Sequence, residues 1–325
     1  MNASAPIDAP AEPRPPHWVC RQAFPVLTGC LALTDLALTY SVYHGWIWLA
    51  VPLMLLASHL MHGQLIGFHE ASHGLLRKSR KLNEIDGQIL GFFSITSFTL
   101  YRASHQTHHM YLSTEKDEEF WPFVDPKKPR WVRVLAAIAE LTCGIIFTPF
   151  VFVRSFLRKG SPIRSKRIRN RIWREYAFMA GTWAVVLTLI GVFHVWKYFF
   201  WLYLMPAYIA SNLQSWRKYV EHVGLTGSTI RSATRSIVAR GWGGKVMAFT
   251  LLHEPYHGVH HQRAGITHAE LPQYAADLEP QHPDEIAPFP SYRHAIWHLL
   301  QCLADPRVGP QWRGQEMQEG EGFEA

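Results

Sequence analysis

Apolar and charged residues separate into blocks along this chain. Phe24 to His44 carries one charge, Asp35, and Trp46 to Phe68 carries none. Tyr176 to Trp196 and Tyr198 to Ser215 are equally free of Asp, Glu, Lys and Arg. A helix rising ~1.5 Å per residue needs about 20 apolar residues to cross a hydrocarbon core of about 30 Å. Each block therefore predicts a membrane-spanning helix. The joints at Gly45 and Lys197 are very short, so the four pair into two hairpins. Buried helices of a large soluble protein are the competing reading. Two further apolar stretches, Gly87–Tyr101 and Val134–Val153, predict short interfacial or re-entrant helices. The second is long enough to span, but a single extra crossing breaks the charge distribution described next.

Taking the two hairpin tips as one side of a membrane, 31 of the 32 Lys and Arg residues fall on the other, and only Lys197 sits at a tip. Basic residues mark the cytoplasmic face, which predicts cytoplasmic termini and a cytoplasmic segment 69–175. The net charge of +7 is then mainly topological. Tyr43, Trp46, Trp173, Trp196, Tyr198 and Trp216 suit interfacial belts. Residues 1–18, rich in Pro and Ala, read as a disordered cytoplasmic tail, 19–305 as the membrane domain, and 306–325 as a flexible tail.

Composition sharpens this reading. Charged residues are 18% of 325, against roughly 25% in typical globular domains. The four cysteines are far apart without a CxxC pair, which excludes a disulfide framework and a structural zinc ribbon. Residues 154–174 hold nine basic side chains in 21. They suit a face lying on anionic lipid headgroups or a docking surface for an acidic electron carrier. No nucleic-acid module is present, and nucleic acid is not an expected partner.

The 19 histidines concentrate in four places. His69 and His73 stand four apart after the second block, on one face of a helix. His105, His108 and His109 form an HxxHH box, and His257, His260 and His261 form another. His222 follows the fourth block. In HxxHH the first histidine shares a face with both others, while those two diverge by roughly a hundred degrees at 3.6 residues per turn. That divergence suits two metal ions better than one, and these nine histidines are the candidate ligands. Imidazole suits iron, copper and zinc alike, so spacing does not choose the metal. His59, His62 and Asp35 lie within predicted spans and are possible functional or hydrogen-bonding groups. His17, His44, His194, His268, His282, His294 and His298 read as ordinary polar residues.

A second chemistry fits part of this pattern. His69-Glu70-x-x-His73 and His253-Glu254-Pro255-Tyr256-His257 both match HExxH, the helical motif that binds zinc with Glu as general base. A membrane zinc protease needs two histidines and one more ligand, and leaves His105, His108, His109, His260 and His261 unexplained. Pro255 also sits badly inside a helix.

The stretches HEASHG (69–74), HQTHHMYLSTEKDEEF (105–120) and YHGVHHQRAGITHAELPQY (256–274) resemble the membrane fatty acid desaturase and hydroxylase superfamily. The resemblance runs from roughly His59 to Tyr274. It implies an all-α integral membrane fold, with four transmembrane helices as two hairpins and a cytoplasmic helical cap holding the histidine boxes. It also implies a di-iron centre ligated by His69, His73, His105, His108, His109, His257, His260 and His261, with O2 as co-substrate. Tyr219-Val-Glu221-His222-Val-Gly224-Leu225 is similar to the NYxEHYG element of the alkane monooxygenase branch, and His222 matches its histidine. Lys218 stands where that element has Asn, and the first box has three residues between histidines rather than four. Glu115, Asp117, Glu118, Glu221 and Glu254 are placed to orient histidine N–H groups.

The implied reaction is desaturation of a lipid acyl chain, with hydroxylation or ketolation of a lipid, alkane or carotenoid as the alternative. The substrate chain is expected in an apolar tunnel rising from the membrane. The chain shows no fused electron-transfer domain, so a separate ferredoxin or cytochrome b5 with its reductase is the implied donor. A bacterial inner membrane, or the endoplasmic reticulum in a eukaryote, is the implied location.

Overall fold

A computed structural model describes residues 16–238 and 240–313. Most of the N-terminal tail reading, and residues 314–325 of the C-terminal one, lie outside the described residues. Among those described there is no strand, only two isolated bridges, Leu225 with Val308 and Ile237 with Phe289. The fold is all-α and membrane-integral.

Helix α1 (Ala23–Tyr43) and helix α2 (Ile47–His73) form the first hairpin, turning at Gly45 with φ 72°. Gly74 ends α2 in the left-handed region at φ 77°, where a residue without Cβ is favoured. Its N–H donates to Ala71 O at 3.0 Å and the Leu75 N–H to Glu70 O at 3.1 Å. The stop comes one residue after His73, so both histidines of the first box keep helical spacing.

Gly87–Tyr101 is divided between two helices, α3 (Arg80–Phe93) and α4 (Phe98–Met110). Helix α3 leaves Leu82, Ile85, Ile89 and Phe93 exposed along one stripe, as a helix lying in a membrane interface does. Ser97 caps α4 by accepting from Leu100 N at 3.1 Å. Glu175 then holds the same end, accepting from Ser97 Oγ at 2.6 Å and Thr99 N at 3.0 Å.

The long apolar helices differ from the expected set. Helix α5 (Arg130–Leu157) contains Val134–Val153 and is long and apolar enough to cross a membrane. So are α1, α2 and α6 (Lys166–Val192). The block Tyr198–Ser215 is instead the middle of a helical rod that runs from Trp196 through a π segment, Phe200–Leu204, into α7 (Met205–His222). Its second half carries Ser211, Asn212, Gln214, Ser215, Arg217 and Lys218, so it falls short of the apolarity of the other four. Those polar side chains face protein, because α7 packs against α2 and α5.

Helix α5 kinks at Cys143, which has φ −133° and ψ 41°. Asn212 satisfies the broken ladder, accepting from Gly144 N at 2.8 Å and donating to Thr142 O at 3.1 Å.

The segment 306–313, expected in the flexible tail, is packed. Val308 and Trp312 are buried, the Trp312 indole donates to Phe123 O at 2.9 Å, and Gly309 N donates to Leu225 O at 2.8 Å. The apolar area of these two side chains holds the segment down. Three remaining helices matter here: α8 (Gly241–Thr250), the short α9 (His257–Gln262) and α10 (Tyr292–Cys302). Buried Arg235 ties α10 to the end of α7, donating to Val220 O, Val223 O and His298 Nδ1.

Candidate metal centre

The nine histidines predicted as ligands converge from α2, α4, α7 and α9 into two adjoining groups. His69, His73, His105, His109 and His260 place ring nitrogens within 4.8 Å of one another. His108, His222 and His261 do the same, and His257 joins them with Nε2 at 2.7 Å from His222 and 3.0 Å from His261. Neighbours in sequence part company: His108 and His109 face different groups, as do His260 and His261. A hundred-degree step around a helix does this.

The spacing within the groups suits a cation. In the first, Nε2 atoms stand 3.0 Å apart between His73 and His105, and 3.1 Å apart between His105 and His109 and between His109 and His260. Nitrogens sharing one metal at about 2.0–2.1 Å stand about 3 Å apart at right angles, the spacing found here. The Nδ1 sides face acceptors. His105 donates to Glu119 Oε2 at 3.1 Å, His108 to Asp117 Oδ2 at 2.8 Å, His257 to Glu254 Oε1 at 2.9 Å and His222 to Ala233 O at 3.1 Å. A carboxylate or carbonyl oxygen only accepts, so in a neutral ring the proton lies on Nδ1 and the Nε2 lone pair points inward. Burial and the crowd of neighbouring imidazoles hold His260 and His261 well below the usual histidine range. His108 goes the other way, since the Asp117 carboxylate outweighs burial and raises it.

The charge count points the same way. Glu70, Asp117, Glu119, Glu221 and Glu254 are buried around the histidines. Arg217 is the cation among them, donating through Nη1 to Glu221 at 2.7 Å and to Glu254 at 2.8 Å. Five carboxylates against one guanidinium leave four negative charges when all are ionised. Cations among the histidines would offset that charge, because buried charge without a partner is costly, and without them burial pushes the Glu221 and Glu254 carboxyls up.

Of the acids expected to orient histidines, Asp117, Glu221 and Glu254 face imidazole Nδ1 atoms. Glu115 is exposed, and Glu118 pairs with Arg154 and Arg158 instead. Glu119 takes the place expected of Glu118. Asp117 caps the 3-10 turn Glu118–Phe120, and that turn aims Glu119 inward. Sequence reasoning also missed Arg217, which pairs with its helix neighbour Glu221 and the distant Glu254 and donates through Nε to Gln214 Oε1 at 3.2 Å. Lys218, the departure from the Asn pattern, forms a buried ion pair with Glu140, which also accepts from the Tyr219 hydroxyl at 3.0 Å.

Other candidates stand apart. His59 Nε2 lies 2.8 Å from Thr250 Oγ1, and His62 is buried with no hydrogen-bond partner at Nε2 among the described residues. Asp35 keeps a buried Oδ1 with no hydrogen-bond partner among the described residues. His253 has φ 55° and opens a 3-10 turn, so its HExxH match is not helical. Its ring stacks on His268 at 5.8 Å. A cleft between α2, α5 and α7 is lined by Leu65, Phe68, Ile145 and Phe152 and reaches Glu119 and Lys218 beside the histidines.

The chain matches the family model described as fatty acid desaturase over residues 46–293. It is 26% identical over 170 residues to an sn-1 acyl-lipid omega-3 desaturase (ferredoxin) of Synechocystis sp. (strain ATCC 27184 / PCC 6803 / Kazusa), covering 51% of this chain and 47% of that protein. It is 27% identical over 150 residues to a chloroplastic omega-3 fatty acid desaturase of Glycine max, covering 44% and 33%. A third relative, an endoplasmic reticulum omega-3 fatty acid desaturase of Vigna radiata var. radiata, is 32% identical over 102 residues, covering 31% and 26%. The matches span less than half the length of each relative.

Proposed function

The chain belongs to the fatty acid desaturase family, and from that premise we propose a membrane-bound, O2-dependent di-iron oxidoreductase that introduces a double bond into a lipid acyl chain. The observation that carries this reading is the convergence of nine imidazoles into a group of five and a group of four, inside a shell of buried carboxylates. His69, His73, His105, His109 and His260 would hold one iron, and His108, His222, His257 and His261 the other. Bound there, two irons supply the oxidising power, drawn from O2 and two electrons, that removes hydrogen from an unactivated C–H bond and that side chains lack.

The protein's own residues do the rest. Asp117, Glu119 and Glu254 fix ring orientation and keep the Nε2 lone pairs inward. Phe68 and Phe152 give the cleft an apolar wall against which an acyl chain lies, and exclude water beside the histidines. Electrons come from a separate ferredoxin- or cytochrome b5-type protein with its reductase. Both termini and the histidines face the cytoplasm on this reading, as the basic residues favour.

Expression with a reductase chain and mass spectrometry of the host lipids tests it. The expected product lacks two hydrogens relative to its precursor. A product with one added oxygen would move the assignment to hydroxylation. Unchanged lipids together with a single zinc per chain, persisting after iron supplementation, would move it to the protease class.

A further inference from the structure

Glu254 touches both histidine groups. It is fully buried, and its two oxygens serve different ends. Oε1 accepts from His257 Nδ1 at 2.9 Å and from Arg217 Nη1 at 2.8 Å. Oε2 faces His69 Nδ1 at 3.5 Å. The two atoms are not hydrogen-bonded at that distance, and both are buried with no hydrogen-bond partner among the described residues, so each has the other as its nearest opposite group. His257 belongs to the group of four and His69 to the group of five. The other orienting acids serve one group each: Glu119 reaches His105 and Asp117 reaches His108.

Resting on the di-iron reading above, we infer that Glu254, clamped by Arg217, is a positioning residue shared by the two metal subsites, so that both metals depend on one carboxylate. The backbone explains how one side chain reaches both. His253 in the left-handed region and the 3-10 turn Glu254–Tyr256 place Glu254 three residues before His257, facing the end of α2 where His69 lies. Arg217 arrives from α7 and spans Glu221 and Glu254, which would otherwise repel in a dry interior. Shortening Glu254 frees His69 and His257 together and leaves Arg217 half paired. Glu70 is the nearest substitute, with Oε1 at 3.7 Å from His69 Nδ1, and it reaches only the group of five.

Outer-shell substitutions lower metal affinity about 10- to 100-fold. The test is iron release from purified full-length protein to a graded chelator, followed by iron per chain and optical spectrum. Wild type must first show two irons; fewer overturns the di-iron reading itself. Glu119→Gln and Asp117→Asn are expected to weaken one iron and leave the other at its wild-type midpoint. Glu254→Ala is expected to weaken both by about 10-fold or more. The near-isosteric Glu254→Gln runs the same comparison should the alanine variant fail to fold, and it should restore part of the loss if it does fold. Two irons bound in wild type with only one shifted in both Glu254 variants, or neither shifted, would overturn the shared role and leave the di-iron reading standing.

Discussion

Asp117 Oδ2 lies 2.8 Å from His108 Nδ1, with both side chains buried and the Ser113 N–H donating to the same oxygen at 3.1 Å. A charged acceptor fixed by backbone donors cannot swing away, so it holds the ring in one tautomer. Asp117→Asn keeps the shape and removes the charge, and should lower turnover about 10- to 100-fold. Glu115→Gln, at an exposed position nearby, should not alter it. Lipid product per nanomole of protein is the readout, and equal rates for Asp117→Asn and wild type would refute the role.

His108 and His261 sit in the group of four, while His282 is exposed and far from it in sequence. His108→Ala and His261→Ala are expected to abolish product formation and His282→Ala to leave it unchanged. Retained activity in either of the first two means that its ring holds no metal.

Gly144 marks the close approach of α5 to α7. A Cβ there would lie 2.4 Å from Ser215 Oγ and 2.8 Å from the Ser211 carbonyl. The backbone oxygen cannot step aside, so Gly144→Ala should destabilise by about 1–3 kcal/mol and narrow the cleft. Thermal unfolding in detergent reads the first effect, and a wild-type melting temperature contradicts it.

His253 and His268 stack in a buried pocket beside the metal groups. Burial pushes the His253 imidazole down to about 4, and burial with His253 alongside pushes His268 down to about 3. The folded protein therefore refuses protons that the unfolded chain accepts. Stability from this pair is complete above the ordinary value of 6.5 and is lost as pH falls from there toward about 4 and about 3. His268→Gln should flatten the stability profile over that interval, by up to about 1.4 kcal/mol per pH unit. A parallel profile for the variant rules the pair out as the source.

Trp312 is 2% exposed and bonded to Phe123 O. Trp312→Ala should lower stability by about 3–5 kcal/mol, as large core truncations do. An unchanged melting temperature would show that residues 306–313 contribute nothing to folding.

The parts of this structure legible in the sequence are those governed by short periods. HxxxH and HxxHH spell out helix faces, so the separation of His108 from His109 follows from the sequence alone. The first hairpin is legible because Asp35 is the one charge in α1. Helix α5 is less so: Val134–Val153 is long enough to span, but an extra crossing breaks the balance of basic residues, and Glu140 lies within the run. Glu140 turns out to be neutralised by Lys218 of α7, a contact 78 residues distant that no local pattern displays. Arg217 escaped for the same reason, since its partner Glu254 lies 37 residues away. The docking of Trp312 was invisible because a lone tryptophan in a polar run carries no periodicity.

Helix α2 has a consequence for height. Its 27 residues make a rod of about 40 Å, some 10 Å more than the hydrocarbon layer it crosses. With the apolar run Trp46–Phe68 placed in that layer, the surplus falls at the Gly74 end, where the last turns carry His69 and His73. On the proposed desaturase reading, the reacting atoms of a lipid would have to be lifted clear of the bilayer, and the bond attacked would be set by how much chain the cleft draws up before it reaches the histidines.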